Sequence, residues 1–145
     1  MTGTILTGVD LSGMDLTGTI LTGANLTEAT LTGDLSGKDL SDTILKRATL
    51  SGVNLSNAIL INANLENATL ENAKLLDANL DSANLSNADL RVTLLVDVNL
   101  SNATLTGADL TGAVLTGAIL SGADLENVIL TNAILNCVGH PVCVS

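Results

Sequence analysis

The sequence predicts an all-β fold in which the chain winds into a square coil, five residues to a side. Three observations predict it. Leucine recurs at every fifth residue, from Leu6 through Leu31 and again from Leu35 through Leu135, which makes 27 five-residue strips. The residue two before the leucine is small, mostly Ala, with Val at 9, 53, 98 and 128. The residue two after it is Gly in 11 strips and Asn in 8.

Each side of the coil follows from the period. A helix advances about 100° per residue, so leucines five apart would scatter around its surface. A strand alternates faces, so an odd step would throw successive leucines to opposite sides. A chain that turns a corner after every strip avoids both problems. Four strips close one coil of 20 residues, and every leucine then points to the axis. The small residue two before it shares that side of the extended strip and also points inward. One large and one small side chain per side suit a narrow close-packed tube. The corners follow from Gly and Asn, which tolerate the positive φ needed at the third position of a type II turn.

Strips such as Ala-Asn-Leu-Thr-Glu (24–28), Ala-Asn-Leu-Ser-Asn (83–87) and Ala-Asp-Leu-Thr-Gly (108–112) resemble the pentapeptide repeat family, whose repeat is A-(D/N)-L-x-x. The resemblance covers about residues 2–136. It implies a right-handed quadrilateral β-helix, a solenoid with a Leu/Ala core, type II-like turns and about 6.75 coils. Stacked at ~4.8 Å, these coils make a rod ~32 Å long. The expected organisation is one β-helix domain over 1–136 and a non-repeat tail over 137–145 that caps the last coil.

Composition excludes several functions. The formal charge is −10, Phe, Tyr and Trp are absent, and only five residues are basic. Bases therefore have no stacking platform and a phosphate backbone no cationic track, so direct nucleic-acid binding is not expected. No apolar run approaches the ~20 residues that span a bilayer. Met1-Thr2-Gly3 lacks the charged and apolar regions of a signal peptide, so the expected location is cytoplasmic. A stable disulfide would argue for an extracytoplasmic one. No catalytic constellation, cofactor or phosphate loop is expected, and a filled tube has no interior site.

The repeat breaks once. Leu31 and Leu35 are four residues apart, so Thr32-Gly33-Asp34 must complete a corner with one residue missing. Lys38 then falls on an inward position, where an unpaired ammonium is costly. A bulge or tightened turn at about 32–39 is expected to let it escape outward. Thr4, Thr19, Thr43 and Thr93 also fall inward, where each hydroxyl can bond a nearby carbonyl. After Leu135-Asn136 the chain reads Cys137-Val-Gly-His-Pro-Val-Cys143. Cys137 and Cys143 form a disulfide across a turn in one reading. In others they remain two apolar thiols, or join His140 in a three-ligand metal site.

Residues 20 apart stack on one face once the missing residue is allowed for. The outward residue before each leucine therefore defines four columns. Asn64/Asn84 and Asn79/Asn99 are expected to form amide ladders. Asp89/Asp109 and Asp15/Asp34 place carboxylates one strand apart and, with Asp10, make an acidic surface. Thr30, Thr49 and Thr69 stack, but Glu71 breaks the neighbouring Thr32–Ser51 column, so no regular two-column threonine array results. Leu94, Val114 and Ile134 form an apolar stripe that continues with Ile119 and Ile129, as a partner or dimer patch would.

Two functions follow. The first is a rigid, acidic, non-enzymatic scaffold for a protein partner, with self-association through the apolar C-terminal end. The second comes from the resemblance: some members of the family mimic the rod shape and charge of DNA and inhibit or protect DNA gyrase. About 32 Å of B-DNA carries roughly 19 charges, about twice the net charge here.

Overall fold

The computed structural model describes residues 3–143. Successive coils stack through parallel bridges, each joining the residue before one leucine to its counterpart a coil later. Four ladders result. They run from Ile5 to Asp124, from Asp10 to Ile129, from Asp34 to Ile134 and from Asp39 to Val138. The step is 20 residues, or 19 where it crosses the Leu31–Leu35 interval and at the last bridge, Ile119 to Val138. The chain is therefore a four-sided β-helix whose hydrogen bonds run along the rod.

One strip shows why five residues suffice. In strip 43–47 the Leu45 amide donates to the Asn64 carbonyl of the next coil at 2.7 Å, and the Arg47 amide to Glu66 at 2.9 Å. The Ile44 amide reaches back to Ala24 of the preceding coil at 3.0 Å. The next strip opens with Ala48, whose amide closes the corner onto Leu45 at 3.0 Å. One amide per strip, that of the residue after the leucine, remains. Where the residue before the leucine is Asn or Asp, its Oδ1 takes that amide, as Asn64 takes Glu66 at 3.1 Å. A buried chain must satisfy its backbone donors, and here four per strip are met by the backbone and, where Asn or Asp precedes the leucine, the fifth by that side chain.

The core is the stack of leucines. From Leu21 through Leu120 every central leucine is at most 1 % exposed, with Ala, Val53 and Val98 filling the space between. Thr43 and Thr93 also lie inside, and their hydroxyls donate to the carbonyls of Leu40 and Leu90, both at 2.6 Å. Towards either end Leu6, Leu16, Leu125, Leu130 and Leu135 are only partly buried.

Every full-length corner from Gly8 to Asn132 carries a positive φ at its third position. Glycine and asparagine were expected there. Glu28, Asp42, Arg47, Asp77, Ser82, Val92 and Asp97 take the same conformation, with φ between 54° and 60°. Packing of the core thus overrides local preference in those strips. Val92 is the extreme case, because a branched Cβ makes the left-handed region a genuine outlier.

The short corner is resolved simply. Gly33 occupies the inward position of the Leu35 strip, since its carbonyl accepts the Asn54 amide at 3.0 Å as the inward residues of other strips do. The residue missing is therefore the third of the turn, and Gly33 bridges the gap with a φ of 91°. Lys38 does not escape outward. It stays half-buried in the inward register, its carbonyl accepting the Ile59 amide at 2.9 Å, and its ammonium donates to the Leu16 carbonyl. The ammonium is satisfied by a main-chain dipole, so the chain need not bulge.

At the other end the ladder runs two residues past the expected domain boundary. Val138 bridges Ile119 and exchanges hydrogen bonds with Ala118 and Leu120, both at 2.9 Å. Gly139 then presses on the coil beneath: a Cβ there would lie 2.2 Å from the Ser121 hydroxyl. Pro141–Cys143 form a 3-10 helix, and Val142 and Cys143 pack against the core. Cys137 and Cys143 are joined in a disulfide with Cα atoms 5.0 Å apart. The thiol and metal readings of this pair are thereby corrected, and His140 instead accepts the Val142 amide at Nδ1, at 3.1 Å. Residues 1, 2, 144 and 145, which the expected domains include, lie outside the described residues.

Two outcomes follow. Replacing Val92 with Asn should stabilise the fold by about 1 kcal/mol, seen as a higher urea midpoint, because Asn accepts the left-handed region. Opening the seven-residue loop closed by Cys137 and Cys143, by Cys143→Ser or a thiol reductant, should cost about 2 kcal/mol, seen in the same assay.

Candidate interaction surface

The outer surface consists of the residues flanking each leucine, because neighbours on an extended strip alternate sides. Its acidity has a structural cause. Asp10, Asp15, Asp34, Asp39, Asp89, Asp109 and Asp124 all precede a leucine, and each accepts the amide two residues ahead, at 2.9–3.2 Å. Glu28, Asp42, Asp77 and Asp97 sit at corners. Eleven of the 15 acidic residues thus occupy turn-building positions, which Asn fills equally well elsewhere in the chain.

These hydrogen bonds set the carboxyl chemistry. The hydroxyls and then the amides of Ser12, Thr17, Ser36 and Ser41 hold Asp10, Asp15, Asp34 and Asp39 below the usual carboxylate range. The Arg91 side chain does so for Asp89, and the Glu126 amide followed by the Thr106 hydroxyl for Asp124. The Asp89/Asp109 pair does lie on adjacent coils. Arg91 grips Asp89 with two bonds of 2.8 and 2.7 Å and reaches Glu71 at 3.3 Å, while Thr111 caps Asp109 at 2.6 Å. Lys46–Glu66 at 3.0 Å and Arg47–Glu28 at 2.6 Å neutralise two more acids.

The Asp15/Asp34 pair is not formed. Asp34 bridges Asn54, but no bridge joins it to Asp15 among the described residues. The shortened corner shifts that side of the second coil away from the first and leaves a cleft of about 610 Å³ between residues 13–18 and the 32–38 segment. The Asn ladders do form, with Asn99 donating to Asn79 at 3.0 Å and Asn84 to Asn64 at 3.4 Å.

The apolar stripe is continuous. Leu94, Val114 and Ile134 follow one another in a single ladder. Leu94 is 37 % exposed and Ile134 49 %. Ile119 and Ile129 lie exposed on the two adjacent faces, and Ile119 is followed by the exposed Val138. The sequence reading missed Leu76 and Val96, which share the stripe's side of the coil, and Val92 at its corner. Their signal was available: the position after the leucine is otherwise mostly Ser, Thr, Glu or Asp. Among the described residues, no group of three His, Cys, Asp or Glu could hold a metal, and no helix is long and apolar enough to cross a membrane.

A carboxyl whose folded pKa is depressed contributes stability that is present above its unfolded pKa and lost as pH falls through the folded one. The melting temperature should therefore fall as pH drops below about 4. In the Asp10→Asn, Asp34→Asn, Asp124→Asn triple variant that fall should shrink, with melting at pH 7 unchanged, because Asn keeps the Oδ1 acceptor. Thermal scans from pH 7 to pH 2 would check it.

Comparison with known proteins places this architecture. The family described as pentapeptide repeats matches in eight copies, over residues 1–33, 34–60, 58–91 and 93–132. No curated protein matches the chain. Among solved structures, a pentapeptide repeat protein from the Arabidopsis thaliana thylakoid lumen is 35% identical, with a TM-score of 0.58 over 70% of this chain and 67% of that one. A trypsin-treated form of QnrB1, a plasmid-mediated fluoroquinolone resistance protein, has a TM-score of 0.51 at 21% identity, over 94% of this chain and 80% of that one. With most of its length matched by that repeat, the chain belongs to the pentapeptide repeat family.

Proposed function

We propose that this protein is a non-enzymatic scaffold: a right-handed rod of about 6.75 coils that meets a protein partner, or a second copy of itself, through the apolar stripe near its C-terminal end. The observation that carries this reading is the unbroken run of apolar side chains on successive coils of one ladder, Leu94 and Ile134 exposed and Val114 half-buried between them, whereas exposed apolar residues such as Ile44 and Ile59 alternate with polar ones along their ladders. Contiguous exposed apolar surface on a soluble rod marks an interaction site. The Cys137–Cys143 disulfide supports an oxidising, extracytoplasmic compartment in place of the cytoplasm. The similar Arabidopsis protein comes from the thylakoid lumen.

The second reading is charge mimicry of DNA towards gyrase, favoured by the net charge of −10 and by the stacked Asp89 and Asp109. The likeness to QnrB1 supports the shared fold alone. Against mimicry stand the turn-building role of most acids and the ion pairs of Arg47, Lys46 and Arg91.

Two measurements separate the readings. Sedimentation and cross-linking of the Leu94→Thr, Val114→Thr, Ile134→Thr variant should show loss of self-association or of a cross-linked partner, with melting kept within a few degrees. Retention of both would overturn the scaffold reading of this stripe. Gyrase supercoiling should be unaffected by the protein. Inhibition that vanishes in the Asp10→Asn, Asp89→Asn, Asp109→Asn variant would establish mimicry instead.

A further inference from the structure

The cleft between the first two coils lies far from the apolar stripe and is independent of the reading above. It is a tear in an otherwise regular ladder. On the first two sides of the first coil the bonds to the second are intact: Leu6 donates to Asn25 at 2.7 Å, Gly8 to Thr27 at 2.8 Å, and Thr30 to Val9 at 3.0 Å. The equivalent bonds one side further on would run from Leu16 to Asp34, from Gly18 to Ser36 and from Asp34 to Met14. Among the described residues none of these three is made. Two strand edges therefore face each other across about 610 Å³, each with unused donors and acceptors at strand spacing. Unpaired edges of this kind are the template on which a further strand adds.

Lys38 adds a charge to the slot. It lines the cleft, and its ammonium donates to the Leu16 carbonyl rather than to a carboxylate. A primary ammonium has three donors, so it can accept a further partner. Asp15 and Asp34 also line the cleft, each already capping its own turn. Their charges disfavour phosphates and other polyanions and leave room for one carboxylate at most. The slot is short as well: the ladder stays open on the next side, where Asp39 has no bridge to the first coil among the described residues, but the cleft is lined only by residues 13–18 and 32–38, the length of one strip. That length holds about four to five extended residues.

We propose that this cleft binds the carboxyl-terminal end of an extended peptide, its backbone pairing with the 14–18 and 33–36 edges and its terminal carboxylate resting on the Lys38 ammonium. The missing corner residue and the inward lysine are then two parts of one device. The first opens the ladder, and the second supplies the charge that the opening can accommodate.

The test is a nuclear magnetic resonance titration of the full chain with acetyl-Thr-Val-Thr-Val bearing a free carboxylate, and with the same peptide amidated, up to about 5 mM. The expected result is perturbation of the Leu16, Gly18 and Asp34 amides, with the free acid binding about ten-fold tighter, the size of one charge-assisted hydrogen bond. Lys38→Ala, which places at 38 the residue most strips carry there, should erase that preference and leave the weaker backbone binding. Inserting Asn between Thr32 and Gly33 together with Lys38→Ala should close the ladder, protect those three amides from exchange and abolish binding of both peptides. The proposal is overturned by an absence of perturbation, by equal binding of acid and amide, or by undiminished binding to the closed-ladder variant.

Discussion

The rest of this structure depends on one backbone constraint: a corner every fifth residue, with its third residue left-handed. Once that corner is set, the leucines point inward, the amides face along the rod and the four ladders fall into register. The constraint is strong enough to hold Glu28, Arg47 and even Val92 in a conformation that their side chains disfavour. The gain on the other side is local and repeated. Almost every corner closes its own hydrogen bond and delivers two side chains to a core that is almost completely buried.

The shape was legible because the period is short and the pattern of apolar and small residues is nearly unbroken. Twenty-residue stacking, buried Thr43 and Thr93 and the Asn79/Asn99 ladder all follow from position in the strip. What was not legible depends on contacts between strips. That Asp and Asn before the leucine cap an amide two residues on required the backbone direction at the turn. The fate of Lys38 required the position of the Leu16 carbonyl, 22 residues away. Asp15 and Asp34 were expected to pair because register was counted along the chain. A missing corner residue shifts a whole side, however, and counting cannot show where the ladder gives way. For the interaction surface, the stripe of Leu94, Val114 and Ile134 was readable from spacing, whereas the added breadth from Leu76 and Val96 lay in departures from the consensus.

Charge on this molecule is a by-product of architecture as much as a signal. A carboxylate that caps a turn is fixed in place by the coil, so its spacing reports the coil and not the needs of a ligand. The residues that carry information about partners are those with no architectural duty: the apolar side chains on the stripe and the single inward lysine. Asn or Asp before the leucine serves the turn equally well, so substitutions between them can separate net charge from structure in a way few proteins permit.

The direction of the ladders has a mechanical consequence. Each coil is bound to its neighbours by hydrogen bonds parallel to the rod axis, and the chain passes from one coil to the next at a single point. A force that draws the two ends of the chain apart therefore loads one coil at a time. The rod should come apart as a zipper, in steps of one coil, each releasing about 66 Å of extended chain. The two ends do not resist alike. The disulfide ties the last strip to the tail that covers it, whereas the first coil lacks bridges on two of its four sides, those facing Asp34 and Asp39. Under load, unravelling begins at the torn coil and travels towards the clamped end.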